Sequence, residues 1–143
     1  MAMTDRETTF SNLQAVTTGT QVSTDKYDTG LANHPNINTG RRLQVLVLVT
    51  TTFTGGTSLQ VNVIESANAD LSSPTVIHTG AVVVEASLVA GTRLIATTLP
   101  RTSKRYIGLQ FVTVGTHGAG AIWGGLVRDI DDTAFPAFET GYI

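Results

Sequence analysis

The sequence predicts an all-β protein: an antiparallel two-sheet sandwich of about eight strands, of jelly-roll type, with extended N- and C-terminal arms. Three observations predict it. Short runs rich in Val, Ile and Thr recur along the 143 residues, separated by clusters of Gly, Pro, Ser, Asn and Asp. No stretch sustains apolar residues at i, i+3, i+4 and i+7, so no crossover helix is expected and parallel pairing has little to carry it. The composition contains 24 Thr and 14 Gly but only 14% charged residues, against a usual value of about 25%. Eight strands fit a jelly roll; the alternative, a seven-stranded immunoglobulin-like sandwich, lacks its Cys pair here.

The elements follow in order. A first strand is expected near Thr8 to Val16, a turn at Thr17 to Thr20, and a polar strand near Gln21 to Tyr27. Asp28 to Gly40 reads as a loop, with two Gly, one Pro, three Asn and an Asp. Leu43 to Phe53 is the strongest strand. Leu43, Val45, Val47 and Val49 share one face and Leu46 and Leu48 the other, so both faces are expected to be covered. Thr54-Gly55-Gly56-Thr57 predicts a hairpin into Ser58 to Ser66, with Leu59, Val61 and Val63 inward. After the loop Ala67 to Pro74 come strands at Thr75 to Val84, with a break expected at Gly80, and within Ser87 to Leu99. Pro100 to Ser103 turns, Lys104 to Val114 alternates again, Gly115 to Gly120 turns, and Ala121 to Ile130 closes the set. One domain is expected over residues 1–143. Residues 1–9 form an N-terminal arm and 131–143 an aromatic tail around Pro136.

Composition narrows the function. With no Cys there are no disulfides, thiolate ligands or cysteine nucleophiles. A net charge of −2 provides no basic field for nucleic acid or an acidic membrane. The N-terminus carries mixed charges and no apolar run, so no secretory signal is expected, and no run is long enough for a membrane-spanning helix. Asn-x-Ser/Thr is absent.

No catalytic constellation is expected. His34, His78 and His117 are far apart and no Gly-x-Ser-x-Gly elbow occurs, so all three histidines read as structural or surface residues. Asp129, Asp131 and Asp132 lack the further ligands of a Ca²⁺ loop and read as an acidic exit loop. No metal and no cofactor are predicted. Gly118, Gly120, Gly124 and Gly125 lack a following Gly-Lys-Ser/Thr and mark a turn, then a bulge or close backbone approach. The basic clusters Arg41-Arg42 and Arg101, Lys104, Arg105 sit just before strands, as solubility charges or as ion-pair partners in an assembly. Trp123 is expected in the core. The candidate partner-binding residues are Phe10, Arg41, Arg42, Phe135, Phe138 and Tyr142, because free arms add strands or side chains to a neighbour.

An ordered series of short motifs runs through the chain. It comprises Phe10-Ser11 with Gln14-Ala15-Val16, then Asn38-Thr39-Gly40, the Val-rich strand to Phe53, and Ser58-Leu59-Gln60-Val61. It continues with Leu71-Ser72-Ser73-Pro74, Leu88-Val89-Ala90-Gly91 with Arg93, Arg105-Tyr106-Ile107 with Leu109, and Gly118 to Leu126. From Phe10 to Val127 this series resembles the jelly-roll cement (decoration) proteins of tailed double-stranded-DNA bacteriophages. The resemblance implies a non-enzymatic virion protein on the outer surface of the capsid. Its partners would be the major capsid protein and itself, as a homo-oligomer with a dimer favoured over a trimer, and neither nucleic acid nor membrane. No contact residue is carried over from the family. Two alternatives stand beside this reading. A carbohydrate-binding sandwich would use Tyr27, Tyr106 or Trp123, and a cupin-type enzyme would need clustered His ligands.

Overall fold

The computed structural model describes residues 6–32 and 43–127. They form an all-β protein in which seven strands join into one hydrogen-bonded sheet, every pair antiparallel. The strands are β1 (Thr9–Ala15), β2 (Thr20–Val22), β3 (Tyr27–Asp28), β4 (Gln44–Ser66), β5 (Thr75–Val84), β6 (Arg93–Thr98) and β7 (Tyr106–Val127). Two short 3-10 turns, Arg6–Thr8 and Glu85–Ser87, complete the described elements. Of the expected N-terminal arm, then, residues 6–8 are a helical turn and Thr9 already belongs to β1. The aromatic tail lies outside the described residues.

The two long strands organise the molecule. β4 and β7 pair from Gln44↔Val127 to Ser66↔Tyr106, with register shifts concentrated between Val49 and Ser58. There the expected Thr54–Thr57 hairpin does not form: Leu43 to Phe53 and Ser58 to Ser66 pair not with each other but both with β7. The glycines are used to turn a corner instead. Gly55, Gly115 and Gly120 have positive φ, which lets both strands of the ladder bend together. Gly115 to Gly120 is likewise part of β7 rather than a turn between two strands.

Each half of the bent ladder is flanked differently. β1 pairs with residues 121–125 of β7 and β6 with residues 44–48 of β4. β2 and β3 pair with residues 106–112 of β7, and β5 with residues 58–65 of β4. With β2 and β3 counted as one segment, and β4 and β7 as two each, eight segments run in chain order. One layer then has the order 1-8-3-6 and the other 2-7-4-5, the pairing of a jelly roll.

The layers close on one core. Val45, Val47, Val49, Ile95 and Ile122 of the first layer and Leu59, Val61, Val63, Leu109 and Phe111 of the second are all buried in a single cluster. Gly124 shows the contact directly. A side chain there would overlap Leu109 of the opposite layer and lie 3.3 Å from Val47 Cγ2, the close approach expected of this glycine stretch. The valine face of β4 therefore looks between the layers. Leu46, on the other face, is also nearly closed off, while Leu48 is half-buried.

Candidate functional site

Of the six candidate contact residues, only Phe10 lies within the described residues. It is fully buried in the core cluster, so its side chain fills the sandwich and is not a contact surface. The alternation of β1 explains this, because Phe10 faces inward where β1 lies against β7. Arg41, Arg42, Phe135, Phe138 and Tyr142 lie outside the described residues, as do His34 and Asp129, Asp131 and Asp132.

His117 lies in neither a loop nor the surface but in the bend of β7, 1% exposed. Its Nε2 is 3.4 Å from the Ser58 carbonyl oxygen. Its ring meets Phe53 edge to face, with centroids 5.0 Å apart at 85°. Nδ1 has no hydrogen-bond partner among the described residues. Among the described residues, no group of three or more His, Asp or Glu is placed to hold a metal ion.

The second basic cluster is structural at its base. Arg105 Nε donates to Asp28 Oδ1 at 2.7 Å and Nη2 donates to Oδ2 at 3.0 Å. The guanidinium also lies 5.1 Å from the centre of the Tyr106 ring. Lys104 Nζ donates to Thr75 Oγ1 at 2.6 Å, and Arg101 is exposed. Beneath them is a group the sequence reading passed over. Glu65 is 4% exposed. Its carboxylate accepts the Ser103 N–H at 2.7 Å, the Ser103 hydroxyl at 2.9 Å and the Lys104 N–H at 3.1 Å. An inward-facing carboxylate was legible as the next step of the alternation Leu59, Val61, Val63.

The Arg105 guanidinium beside Asp28, helped by the Gly30 N–H, pulls the Asp28 carboxyl from its usual 3.8 down to about 2. A carboxyl depressed by folding stabilises the fold above its ordinary value, and that contribution is lost as pH falls through the folded one. The pair's contribution should therefore be full above about pH 5, fall as pH drops through 3.8 toward 2, and vanish only below about pH 1. An NMR titration of the Asp28 carboxyl should have its midpoint near 2 and move toward 3.8 in Arg105→Gln. An unmoved midpoint would show that Arg105 is not its cause. Both side chains are exposed, at 45% and 43%, so the effect on stability is small and weakens with salt.

An open hollow of about 470 Å³ beside this pair is lined by Arg6, Glu7, Asp25, Lys26, Tyr27 and Asp28. Its charges are of both signs, and it selects no ligand class by charge. The aromatic candidates for a sugar platform do not converge. Tyr27 packs on the core, Tyr106 lies under Arg105, and Trp123 is in the other layer. Trp123 also departs from expectation. It is half-buried on the outer face, opposite Leu48 and against Gly125, because its neighbours Ile122 and Gly124 take the inward positions.

The described surface does carry exposed valines on one face. Directly opposed residues of an antiparallel pair share a face. Val84, Ser58 and Val114 therefore form one row of the second layer, and Val82, Gln60, Val112 and Thr20 the next. Leu59 and Val61 point into the core, so both rows face out. Val82, Val84 and Val114 are 63%, 58% and 55% exposed.

The fold and surface thus define a jelly-roll β-sandwich with two uncharged rows, bearing three exposed valines, on one outer face. The chain belongs to the Bbp16 family, whose family model matches residues 10–126. No curated protein matches it.

Proposed function

We propose that the protein is a structural component of a phage virion. It binds the outside of the capsid, bridges neighbouring major capsid protein subunits and stabilises the mature head, acting as a small homo-oligomer. The observation that carries the reading is the group of exposed valines, Val82, Val84 and Val114, on one uncharged outer face of the sandwich, since exposed apolar surface marks a place where proteins meet. The jelly-roll strand order supports it, being the fold that the resemblance to capsid cement proteins implies.

The mechanism is linkage. A clamp that binds the assembled lattice and not its separated subunits stabilises the lattice by mass action. Many copies, each touching two or more subunits, multiply the effect.

Co-sedimentation with phage heads lacking the protein, before and after expansion, tests the reading. Saturable binding to expanded heads is the expected result, and its stoichiometry names the symmetry axis. A folded protein that binds no head would overturn the reading and favour the glycan-binding alternative.

A further inference from the structure

Among the described residues, three that are not glycine have positive φ: Leu13 at 54°, Leu71 at 60° and Ser73 at 48°. That conformation crowds a β-carbon against the backbone, so glycine or asparagine is the residue a fold alone favours there. At Leu71, burial offsets the strain. Its side chain is 2% exposed and lies against Gly108, in space that a side chain on that glycine would need. Ser73 follows two residues on in the same loop. Leu13 differs from both. It is 64% exposed, so a large apolar side chain is held at once in strained backbone and in water, and the sandwich gains little from it.

The strain is locked in by the surrounding strands. From Ser11 to Gln14 β1 advances three residues while β7 advances two, from Gly124 to Ile122, so Asn12 and Leu13 bulge out opposite Trp123 alone. Gln14 fixes the bulge. Its Oε1 accepts the Ser11 hydroxyl at 2.6 Å and the Thr24 N–H at 3.0 Å, and its Nε2 donates to the Val22 carbonyl at 3.0 Å. Ser11 is fully buried. Val22 ends β2 in the other layer, so the bulge is clamped to both layers. The segment that carries Leu13 is neutral: no charged residue occurs from Thr8 to Thr24, and Asn12, Ala15, Thr17 and Thr18 are exposed.

We propose that Leu13 is an anchor residue: the bulge presents it, already in place, to fill an apolar pocket on a major capsid protein subunit, with the uncharged residues of its own segment as the rim. Strained backbone that the surrounding structure holds in place is a mark of functional positions. An apolar side chain within a neutral polar rim has the form of a binding hot spot. A side chain fixed before contact also loses little freedom on binding. A protein pocket fits this feature better than a bilayer or a nucleic acid. One leucine inserts too little apolar area to hold a membrane, and the segment has no cation to meet a phosphate. The inference deepens the proposed function, on which the identity of the partner rests.

The test pairs stability with binding. Leu13→Asn should melt at the wild-type temperature or up to about 4 °C above it, because strain is relieved and little packing is lost. Its co-sedimentation with expanded heads lacking the protein should nevertheless weaken about tenfold or more. Leu13→Met, which keeps an apolar side chain of similar volume, should bind within about threefold of wild type. Val89→Asn, at an apolar residue 48% exposed elsewhere on the surface, should bind like wild type. Light scattering should give Leu13→Asn the same oligomeric mass as wild type. A Leu13→Asn protein less stable than wild type would show that the leucine serves the fold. A changed oligomeric mass would assign it to contact between copies, and undiminished binding would show that no pocket receives it. Each of these overturns the proposal and leaves capsid binding standing. A wild type that binds no head overturns the capsid reading itself, and this proposal with it.

Discussion

Replacing Gly120 by Ala should lower stability by about 3 kcal/mol, and the melting temperature by roughly 10 °C. Two costs combine. Gly120 has φ +139°, a conformation L residues avoid. A methyl there would also overlap the ring of Phe53. Phe53 is 2% exposed and cannot swing clear, because the His117 ring meets it edge to face. His117 is held in turn from behind, for a side chain at Gly56 would overlap its ring. Gly120, Phe53, His117 and Gly56 thus form one stack through the corner, with two members from β4 and two from β7. Gly56→Ala should be damaging for the same reason, and the two substitutions should be non-additive because they strain shared neighbours. Gly118→Ala is the control. It meets only the Thr54 carbonyl oxygen at 3.9 Å, and should fall within about 0.5 kcal/mol of wild type. Thermal melts of the three variants decide it; a Gly120→Ala protein as stable as Gly118→Ala would show that the stack is not tight.

The same corner marks where the sequence was readable and where it was not. Alternation placed nearly every strand, since Val45, Val47 and Val49 inward and Leu59, Val61 and Val63 inward hold whichever partner each strand takes. Alternation does not say which strand pairs with which. Gly55-Gly56 between two apolar runs is the same local signal whether the chain reverses in a hairpin or bends through a corner. What distinguishes the two is a second glycine cluster, Gly115 to Gly120, arriving opposite it. That match exists only once β4 and β7 are in register. Asp28 and Arg105 are beyond local reading for the same reason, being 77 residues apart and brought together by the pairing of β3 with β7. Phe10 was misassigned as a contact because it sits at the junction of arm and strand. Trp123 stands outside the core, against expectation, because Ile122 and Gly124 hold the inward positions on either side of it.

Removing the Glu65 carboxylate is expected to have an effect nearly as large as the change at Gly120. Glu65→Ala removes the buried acceptor of the Ser103 and Lys104 N–H groups and of the Ser103 hydroxyl, three part-buried bonds at once. A hydrogen bond to a charged group is worth about 1.5–3 kcal/mol, and water takes over part of what these half-exposed donors lose, so the loss should be about 2–3 kcal/mol. Glu65→Gln keeps one acceptor oxygen but turns an NH₂ toward donors, and should cost roughly half as much. The damage should also spread in a definite direction. Ser103 and Lys104 lead directly into Arg105 and Tyr106, where β7 begins and where Arg105 holds Asp28 of β3. Losing the anchor at Glu65 should therefore release β3 and the start of β7 before the far layer, because that layer rests on Val45, Val47 and Ile122 instead. Hydrogen exchange of Glu65→Gln should accelerate first at residues 103–107 and 27–29 and leave residues 121–126 unchanged. Uniform acceleration along β7 would mean that Glu65 supports the whole sandwich rather than one end of it, and no acceleration would mean that the carboxylate holds nothing.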